Sequence, residues 1–352
     1  MLYLLGFGIA FALSAAITPF VRKFALSRGI VDAPTSARKI HKREIAYLGG
    51  LAIFVAFLLT VLLFVPISRQ LVSLLVGCVI LVIVGVLDDV YDLSPGIKLV
   101  AQFAAAGVAL SGGIGITVIT NPFGGVFDLS WGRFGVDLFG QQFHITPIAN
   151  LVSLLWMVGL ANTINFLDGL DGLACGVSGI AAVVMFAVAV GPNVDQPAVA
   201  MLAIVLAGAA FGFLPHNFYP AKIFMGDSGA YFLGLTLAML SIYSGAKLAT
   251  AALVLGLPIL DTLWAVVRRM LRGTSPFRAD RQHFHHLLLD AGLDQRQAVL
   301  VVYAVVAVFG AVSLGAGSFA KFVALVVLFC MVVVAMGGLF IRSERLKKRG
   351  VR

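Results

Sequence analysis

Long apolar runs separated by short polar loops extend along the whole chain. An apolar run of roughly 20 residues is long enough to cross a bilayer as an α-helix. Eleven segments fit this pattern, at 2–21, 47–66, 71–87, 97–112, 148–164, 173–191, 198–214, 229–246, 248–267, 298–315 and 322–341. The pattern predicts an all-α integral membrane protein that forms a single polytopic domain over residues 1–352.

Basic residues give the predicted helices an orientation. With eleven crossings, alternate loops and the C-terminal tail contain 21 of the 25 Lys and Arg residues, and the opposite side contains 4. Because Lys and Arg accumulate in cytoplasmic loops, the rich side is expected to be cytoplasmic. The N-terminus is therefore predicted to lie outside, and the C-terminus inside.

Composition narrows the function classes. The chain is 61% hydrophobic, with a mean hydropathy of +1.04, which excludes a soluble globular protein. The net charge of +9 comes from residues that flank the predicted spans. This charge therefore indicates topology or contact with anionic membrane lipids, and nucleic acid is not an expected partner.

Two local features modify the helical pattern. The longest outward loop, 113–147, contains alternating β-branched and aromatic residues bounded by Asn, Pro and Gly, which predicts a small external β-hairpin. Pro258 can break the span at 248–267, because it removes a backbone donor. We expect Asp261 to satisfy a backbone group or a neighbour near that break.

The first polar cluster follows the third predicted span. Asp88 and Asp89 are adjacent, so on a helix their side chains point about 100° apart and can serve two different roles. Lys98 begins the next span and can return to the same place to bind phosphate. Helix-end solvation and snorkelling of the lysine are the alternative explanations.

A second cluster, residues 162–172, is the sharpest signal in the sequence. Asn162, Asn165, Asp168 and Asp171 recur every three residues, and on a helix this spacing is expected to keep several oxygens near one face. Oxygen ligands of this kind suit Mg²⁺, which commonly binds through one or two carboxylates and substrate phosphates.

Two further clusters lie in later inward loops. Asp227 precedes a predicted span and is either a helix cap or a second metal ligand. The segment 278–286 contains Arg281, His283, His285 and His286. It lacks zinc-ligand spacing, so we expect its imidazolium and guanidinium groups to donate to phosphate or diphosphate. All these loops fall on the predicted cytoplasmic side.

Five motifs together resemble the polyprenyl-phosphate N-acetylhexosamine-1-phosphate transferases. They are LDDVYDLSPGIK (87–98), NTINFLDGLDGLACG (162–176), FMGDSGAYFLG (224–234), PILDT (258–262) and HFHHLLLDAGL (283–293). The resemblance implies transfer of a sugar-1-phosphate, most simply GlcNAc-1-phosphate, from a UDP-N-acetylhexosamine to undecaprenyl phosphate, with release of UMP. It also implies a bacterial cytoplasmic membrane location, with the site facing the cytoplasm and a homodimer as a candidate assembly.

The same resemblance implies roles for individual residues. The catalytic candidates are Asp88, Asp89 and Asp168, and the metal ligands are Asp227 and Asn165, for Mg²⁺ or, alternatively, Mn²⁺. The substrate-binding candidates are Lys98, Asn162, Asp171, Arg281, His283, His285 and His286. The HxHH form favours the N-acetylhexosamine branch. Two alternatives stay open: a phospho-N-acetylmuramoyl-pentapeptide transferase and, in a different class, a transporter of lipid-linked intermediates.

Overall fold

The computed structural model describes residues 1–32, 44–138, 141–192, 194–243, 248–275 and 283–348. One predicted site residue, Arg281, lies outside these ranges. The described chain is mainly helical, which confirms the predicted helical membrane protein. Its helices are α1 (Leu2–Ser27), α2 (Gly49–Phe64), α3 (Arg69–Tyr91), α4 (Pro95–Ser111), α5 (Pro147–Leu167), α6 (Leu173–Ala189), α7 (Pro197–Asn217), α8 (Gly226–Tyr243), α9 (Leu248–Val254), α10 (Gly256–Leu271), α11 (Phe284–Asp290), α12 (Gln295–Gly315) and α13 (Ser318–Lys348).

Length and composition allow six of the described helices to cross a membrane: α1, α3, α5, α7, α12 and α13. The pair α9 and α10 passes the same test as one broken span, which makes seven. Each of the eleven predicted segments overlaps a helix or this pair. The number of crossings and their orientation remain predictions.

The break that Pro258 predicts is present. Helices α9 and α10 meet at Leu255 with a bend of 79°. Since Pro258 has no N–H, the Val254 carbonyl cannot receive the usual helical bond from it. The bend directs α10 towards α11, and this brings Asp261 close to the histidine segment.

Short strands occupy two loops. Strand β1 (Val31–Asp32) pairs with β2 (Ile45–Ala46) before α2. Between α4 and α5, β3 (Val118–Thr120) pairs with β4 (Val126–Asp128), and β5 (Phe134–Leu138) pairs with β6 (Gln141–Ile145). All three pairs are antiparallel.

Helix α8 lies in the centre of the bundle, and nearly all of its residues are buried. Its first turn packs directly on the backbones of α2 and α3. A Cβ atom at Gly50 would overlap Gly229, and one at Gly85 would overlap Ser228. The close contact of these three helices places the beginning of α8 next to the end of α3, where Asp88 and Asp89 lie.

Candidate active site

The chain before α8 is held by hydrogen bonds from the first two backbone N–H groups of α2. Gly49 N donates to Phe224 O at 2.9 Å, and Gly50 N donates to Met225 O at 2.8 Å. Gly226 then adopts a φ of +75°, and a Cβ there would overlap the carboxylate of Asp89. Glycine is therefore required at this turn, which directs Asp227 into the polar cluster.

Asp89 caps the beginning of α8 from another helix. Its Oδ1 accepts the Asp227 backbone N–H at 2.8 Å, and its Oδ2 accepts the Ser228 hydroxyl at 3.0 Å. A carboxylate at this position satisfies otherwise unpaired amide groups and interacts favourably with the helix dipole. Both oxygens of Asp89 are thus used to position Asp227.

Asp88 points towards Lys98, as its offset from Asp89 on the helix predicts. Asp88 Oδ1 accepts the Leu93 backbone N–H at 2.8 Å, and Oδ2 pairs with Lys98 Nζ at 2.9 Å. The same ammonium group lies 3.5 Å from Asp227 Oδ2. Lys98 therefore links α3, α4 and α8, and it retains hydrogen-bonding capacity because an ammonium carries three donors.

Asn165 completes the surroundings of Asp227. Its Nδ2 donates to Asp227 Oδ1 at 2.8 Å, so the two predicted metal ligands are adjacent. We call Asp88, Asp89, Lys98, Asn165 and Asp227 the carboxylate cluster. Four helices, α3, α4, α5 and α8, contribute these side chains.

Asp168 adds another carboxyl group directly after α5. Burial raises the pKa of Asp168 well above its usual value, and the negative charges of Asp227, Asp89 and Asp171 raise it further. Among the described residues, Lys98 is the basic side chain that forms ion pairs with the carboxylate cluster. The cluster therefore holds more negative charge than positive charge, which favours the binding of a cation.

The polar run 162–172 does not converge on one point. Asn162 exchanges hydrogen bonds with Gln102 of α4, at 2.6 Å and 3.3 Å, so its amide joins two helices. Asn165 turns instead to α8, and Asp171 Oδ2 accepts the Ala221 N–H at 2.9 Å. The expectation of several oxygens on one helix face is wrong, since α5 ends at Leu167 and the later residues belong to a loop.

Two residues that sequence reasoning missed hold this loop. Asn217 Oδ1 accepts the Gly172 N–H at 3.1 Å, and its Nδ2 donates to Ile223 O at 3.0 Å. The Tyr303 hydroxyl donates to Gly172 O at 2.6 Å. Their targets are backbone atoms, so no charge pattern in the sequence pointed to either residue.

Asp261 orients the histidine segment. Its Oδ2 lies 2.8 Å from His283 Nδ1, and its Oδ1 accepts the Phe284 N–H at 2.8 Å. Arg269 Nη2 lies 3.4 Å from His283 Nε2. The expectation that Asp261 satisfies a backbone group or a neighbour is confirmed, since it does both. Arg269 is a further residue that was missed.

His285 lies between this segment and the loop after α5. Its side chain is 2% exposed and packs against Gly169, and its ring stacks on His283 with centroids 5.7 Å apart. Neither ring nitrogen has a hydrogen-bond partner among the described residues. Burial lowers the pKa of His285 well below its usual value, and His286 and His283 lower it further. This lowered pKa favours a neutral ring at His285 over the expected imidazolium.

The donor set fits a cation that the substrate helps to bind. Among the described residues, no three His, Cys, Asp or Glu side chains are close enough to form a complete metal site. Asp227 and Asn165 are adjacent, however, and offer one carboxylate and one amide. This incomplete set suits Mg²⁺, because Mg²⁺ usually completes its coordination with water and substrate phosphates.

Comparison with known proteins identifies the family. The profile described as glycosyl transferase family 4 matches residues 71–245. A probable undecaprenyl-phosphate N-acetylglucosaminyl 1-phosphate transferase from Bacillus subtilis is 32% identical over 326 residues, 90% of this chain and 86% of the relative. A decaprenyl-phosphate N-acetylglucosaminephosphotransferase from Mycolicibacterium smegmatis is 35% identical over 336 residues, 84% of this chain and 78% of the relative.

A relative of lower sequence identity has the same kind of name. The undecaprenyl-phosphate alpha-N-acetylglucosaminyl 1-phosphate transferase of Salmonella typhi is 28% identical over 305 residues, 84% of this chain and 78% of the relative. The matches extend over most of the chain and include the helices that supply the carboxylate cluster. The chain therefore belongs to glycosyl transferase family 4 and, within it, to the polyprenyl-phosphate N-acetylhexosamine-1-phosphate transferases.

Proposed function

We propose that this protein transfers GlcNAc-1-phosphate from UDP-GlcNAc to undecaprenyl phosphate at the cytoplasmic face of the bacterial cytoplasmic membrane. The observation that carries the proposal is the carboxylate cluster, in which Asp227 lies within 3.5 Å of both Asn165 and Lys98. The names of the relatives support GlcNAc as the sugar and a polyprenyl phosphate as the acceptor.

The proposed reaction is a phosphoryl transfer. An oxygen of undecaprenyl phosphate attacks the β-phosphorus of UDP-GlcNAc and forms a new phosphorus–oxygen bond. The bond from that phosphorus to the oxygen bridging the two phosphates breaks, and UMP leaves with the bonding electrons. The sugar keeps its bond to the β-phosphate, so the product is an undecaprenyl-diphospho-GlcNAc.

The cluster would act mainly by positioning and by electrostatics. Catalysis of phosphoryl transfer depends on alignment of the reacting groups and on compensation of phosphate charge. Lys98 would contribute an ammonium donor to a phosphate oxygen, while Asp88 fixes its location through the 2.9 Å pair. Asp89 would act through Asp227, because its two oxygens hold the first turn of α8.

We propose Mg²⁺ as the cofactor, held by Asp227 and by the Asn165 amide oxygen once the amide rotates. When bound, Mg²⁺ would neutralise charge on the diphosphate and on the departing UMP. The charge balance of the carboxylate cluster supports this assignment, because three aspartates, Asp88, Asp89 and Asp227, are accompanied there by one ammonium group, that of Lys98. Mn²⁺ has the same preference for oxygen ligands and is the alternative.

The loop after α5 and the histidine segment would bind the donor. His285 packs against Gly169, and Asp171 is fixed two residues further along the loop by the Ala221 N–H. A neutral His285 can donate one hydrogen bond and accept another, which suits a sugar hydroxyl or amide better than it suits a counter-charge. Arg269 and His283 supply the basic side of the same region.

The test is a transfer assay with purified protein, undecaprenyl phosphate and Mg²⁺. UDP-GlcNAc, UDP-GalNAc and UDP-MurNAc-pentapeptide are supplied separately, and lipid-extractable sugar is measured. The proposal predicts transfer from UDP-GlcNAc and none from the pentapeptide donor. Transfer from the pentapeptide alone would place the protein in the sister branch, and absence of transfer from all three donors would overturn the proposal.

A further inference from the structure

A cavity of about 620 Å³ lies away from the carboxylate cluster, between α10, α11 and α13. Its walls are mostly apolar, and they include Trp264 and Phe329, whose side chains are 48% and 53% exposed. Exposed apolar side chains on membrane helices are expected to contact lipid, so we infer that the cavity opens towards the bilayer. Its volume is in the range of ordinary ligand sites.

Two arginines line one part of this cavity. Arg268, in α10, and Arg272, directly after its end, are four residues apart, and both line the cavity. Arg268 is only 8% exposed, whereas Arg272 is exposed just after the end of α10. A buried guanidinium next to lipid is costly and usually has a function.

Helix α10 separates this cavity from the carboxylate cluster. Arg269, one residue after Arg268, is rotated by about 100° around the helix and reaches His283. On one side α10 contacts α5, which supplies Asn165, and on the other it contacts α13. A phosphate bound by Arg268 and Arg272 would therefore lie next to the catalytic region but outside it.

We propose that this cavity binds an anionic membrane phospholipid, with its phosphate on Arg268 and Arg272 and an acyl chain among the apolar walls. A guanidinium has five N–H donors and matches phosphate geometry, so it can bind a lipid headgroup while keeping contacts within the protein. Basic pockets between membrane helices on the cytoplasmic side commonly bind anionic headgroups. The bound lipid would support α10, which carries Asp261 and Arg269.

Two neighbouring glycines of α13 provide a matched test. Gly337 lines the cavity, while Gly338 does not, and at either position an added Cβ would meet no atom within 4 Å. Gly337→Phe should fill the cavity, and Gly338→Phe should leave it open. Thermal unfolding of both purified proteins checks that each is folded.

Binding of phosphatidylglycerol and phosphatidylcholine to the detergent-solubilised protein is then measured by native mass spectrometry. The proposal predicts that phosphatidylglycerol binding is at least about tenfold weaker in Gly337→Phe than in Gly338→Phe. It also predicts that Arg272→Gln weakens binding of phosphatidylglycerol but not of phosphatidylcholine, because the guanidinium acts on the anionic headgroup.

Three results would overturn the proposal. Equal phosphatidylglycerol binding by the two glycine variants would show that the lipid binds elsewhere. Equal affinity of the wild-type protein for the two phospholipids would show that the arginines do not recognise the anionic headgroup. They would then only extend their charged ends towards the membrane surface. Displacement of phosphatidylglycerol from this cavity by undecaprenyl phosphate, absent in Gly337→Phe, would assign the cavity to the acceptor instead.

Discussion

The Asp89 carboxylate accepts the backbone N–H of Asp227 at 2.8 Å, which joins two residues 138 positions apart in the chain. Asp89 therefore fixes the end of α3 to the beginning of α8. This contact orients Asp227, the residue to which we assign the principal cation-binding role.

Asp89→Asn should reduce turnover by roughly tenfold or more and should raise the Mg²⁺ concentration needed for half-maximal rate. The amide retains one acceptor for the Asp227 N–H, but it loses the charge and the second acceptor, which costs on the order of 1–3 kcal/mol. Initial rates over a Mg²⁺ titration measure both effects. The control is Asp92→Asn, because Asp92 is exposed directly after the end of α3. If the rate of Asp89→Asn depends on Mg²⁺ as in the wild type, Asp89 does not position Asp227 for cation binding.

Asp227→Asn should lower kcat by at least about 100-fold, the scale expected when one strong electrostatic interaction in a transition state is lost. The substitution preserves shape and removes the charge shared with Lys98 and Asn165. The measurement is the rate at saturating Mg²⁺, with thermal unfolding as the control for folding. Near-normal turnover would show that Asp227 is not a catalytic metal ligand and only lies in the first turn of α8.

His285 should make the stability of the folded protein depend on pH. Its pKa is lowered in the folded state by burial and by the neighbouring histidines. The unfolded chain therefore binds an additional proton below a pH of about 6.5, so the stability that is present above this pH is lost as the pH falls.

The contribution of His285 to the melting temperature should consequently fall between pH 7.5 and 5.5, whereas a buried carboxyl group with a raised pKa, such as Asp168, contributes with the opposite sign. His285→Gln should remove this contribution, so its melting temperature relative to that of the wild type should rise as the pH falls, and His216→Gln, outside the histidine segment, is the control. Scanning fluorimetry of the three detergent-solubilised proteins provides the measurement. If the three proteins show equal slopes, His285 is not the buried neutral ring described.

The proposed orientation places the C-terminal tail in the cytoplasm and the loop between α4 and α5 outside. In a Cys330→Ala background, Thr120→Cys should react with a membrane-impermeant thiol reagent in intact cells. Ser343→Cys should react only after the cells are opened. The measurement compares thiol labelling of each cysteine variant in intact cells with labelling in permeabilised cells. The reverse pattern would show that the topology is opposite to the one assigned.

Much of the site could be predicted because charges are rare in an apolar chain. Lys98 and Asp227 stand out for this reason, and the structure brings them within 3.5 Å. Residues whose partners are distant could not be predicted, as with Gln102, which pairs with Asn162, and Asn217, which binds backbone groups. The lowered pKa of His285 also escaped prediction, since it depends on burial by neighbouring segments.

The central claim is that the bond between the two phosphates of UDP-GlcNAc is broken, and not the bond between sugar and phosphate. UDP-GlcNAc labelled with ³²P at the β-phosphate, incubated with the purified protein, undecaprenyl phosphate and Mg²⁺, tests this claim directly. The account predicts that the ³²P enters the lipid extract and that unlabelled UMP is released. Label that remains in water-soluble UDP while GlcNAc enters the lipid would contradict it.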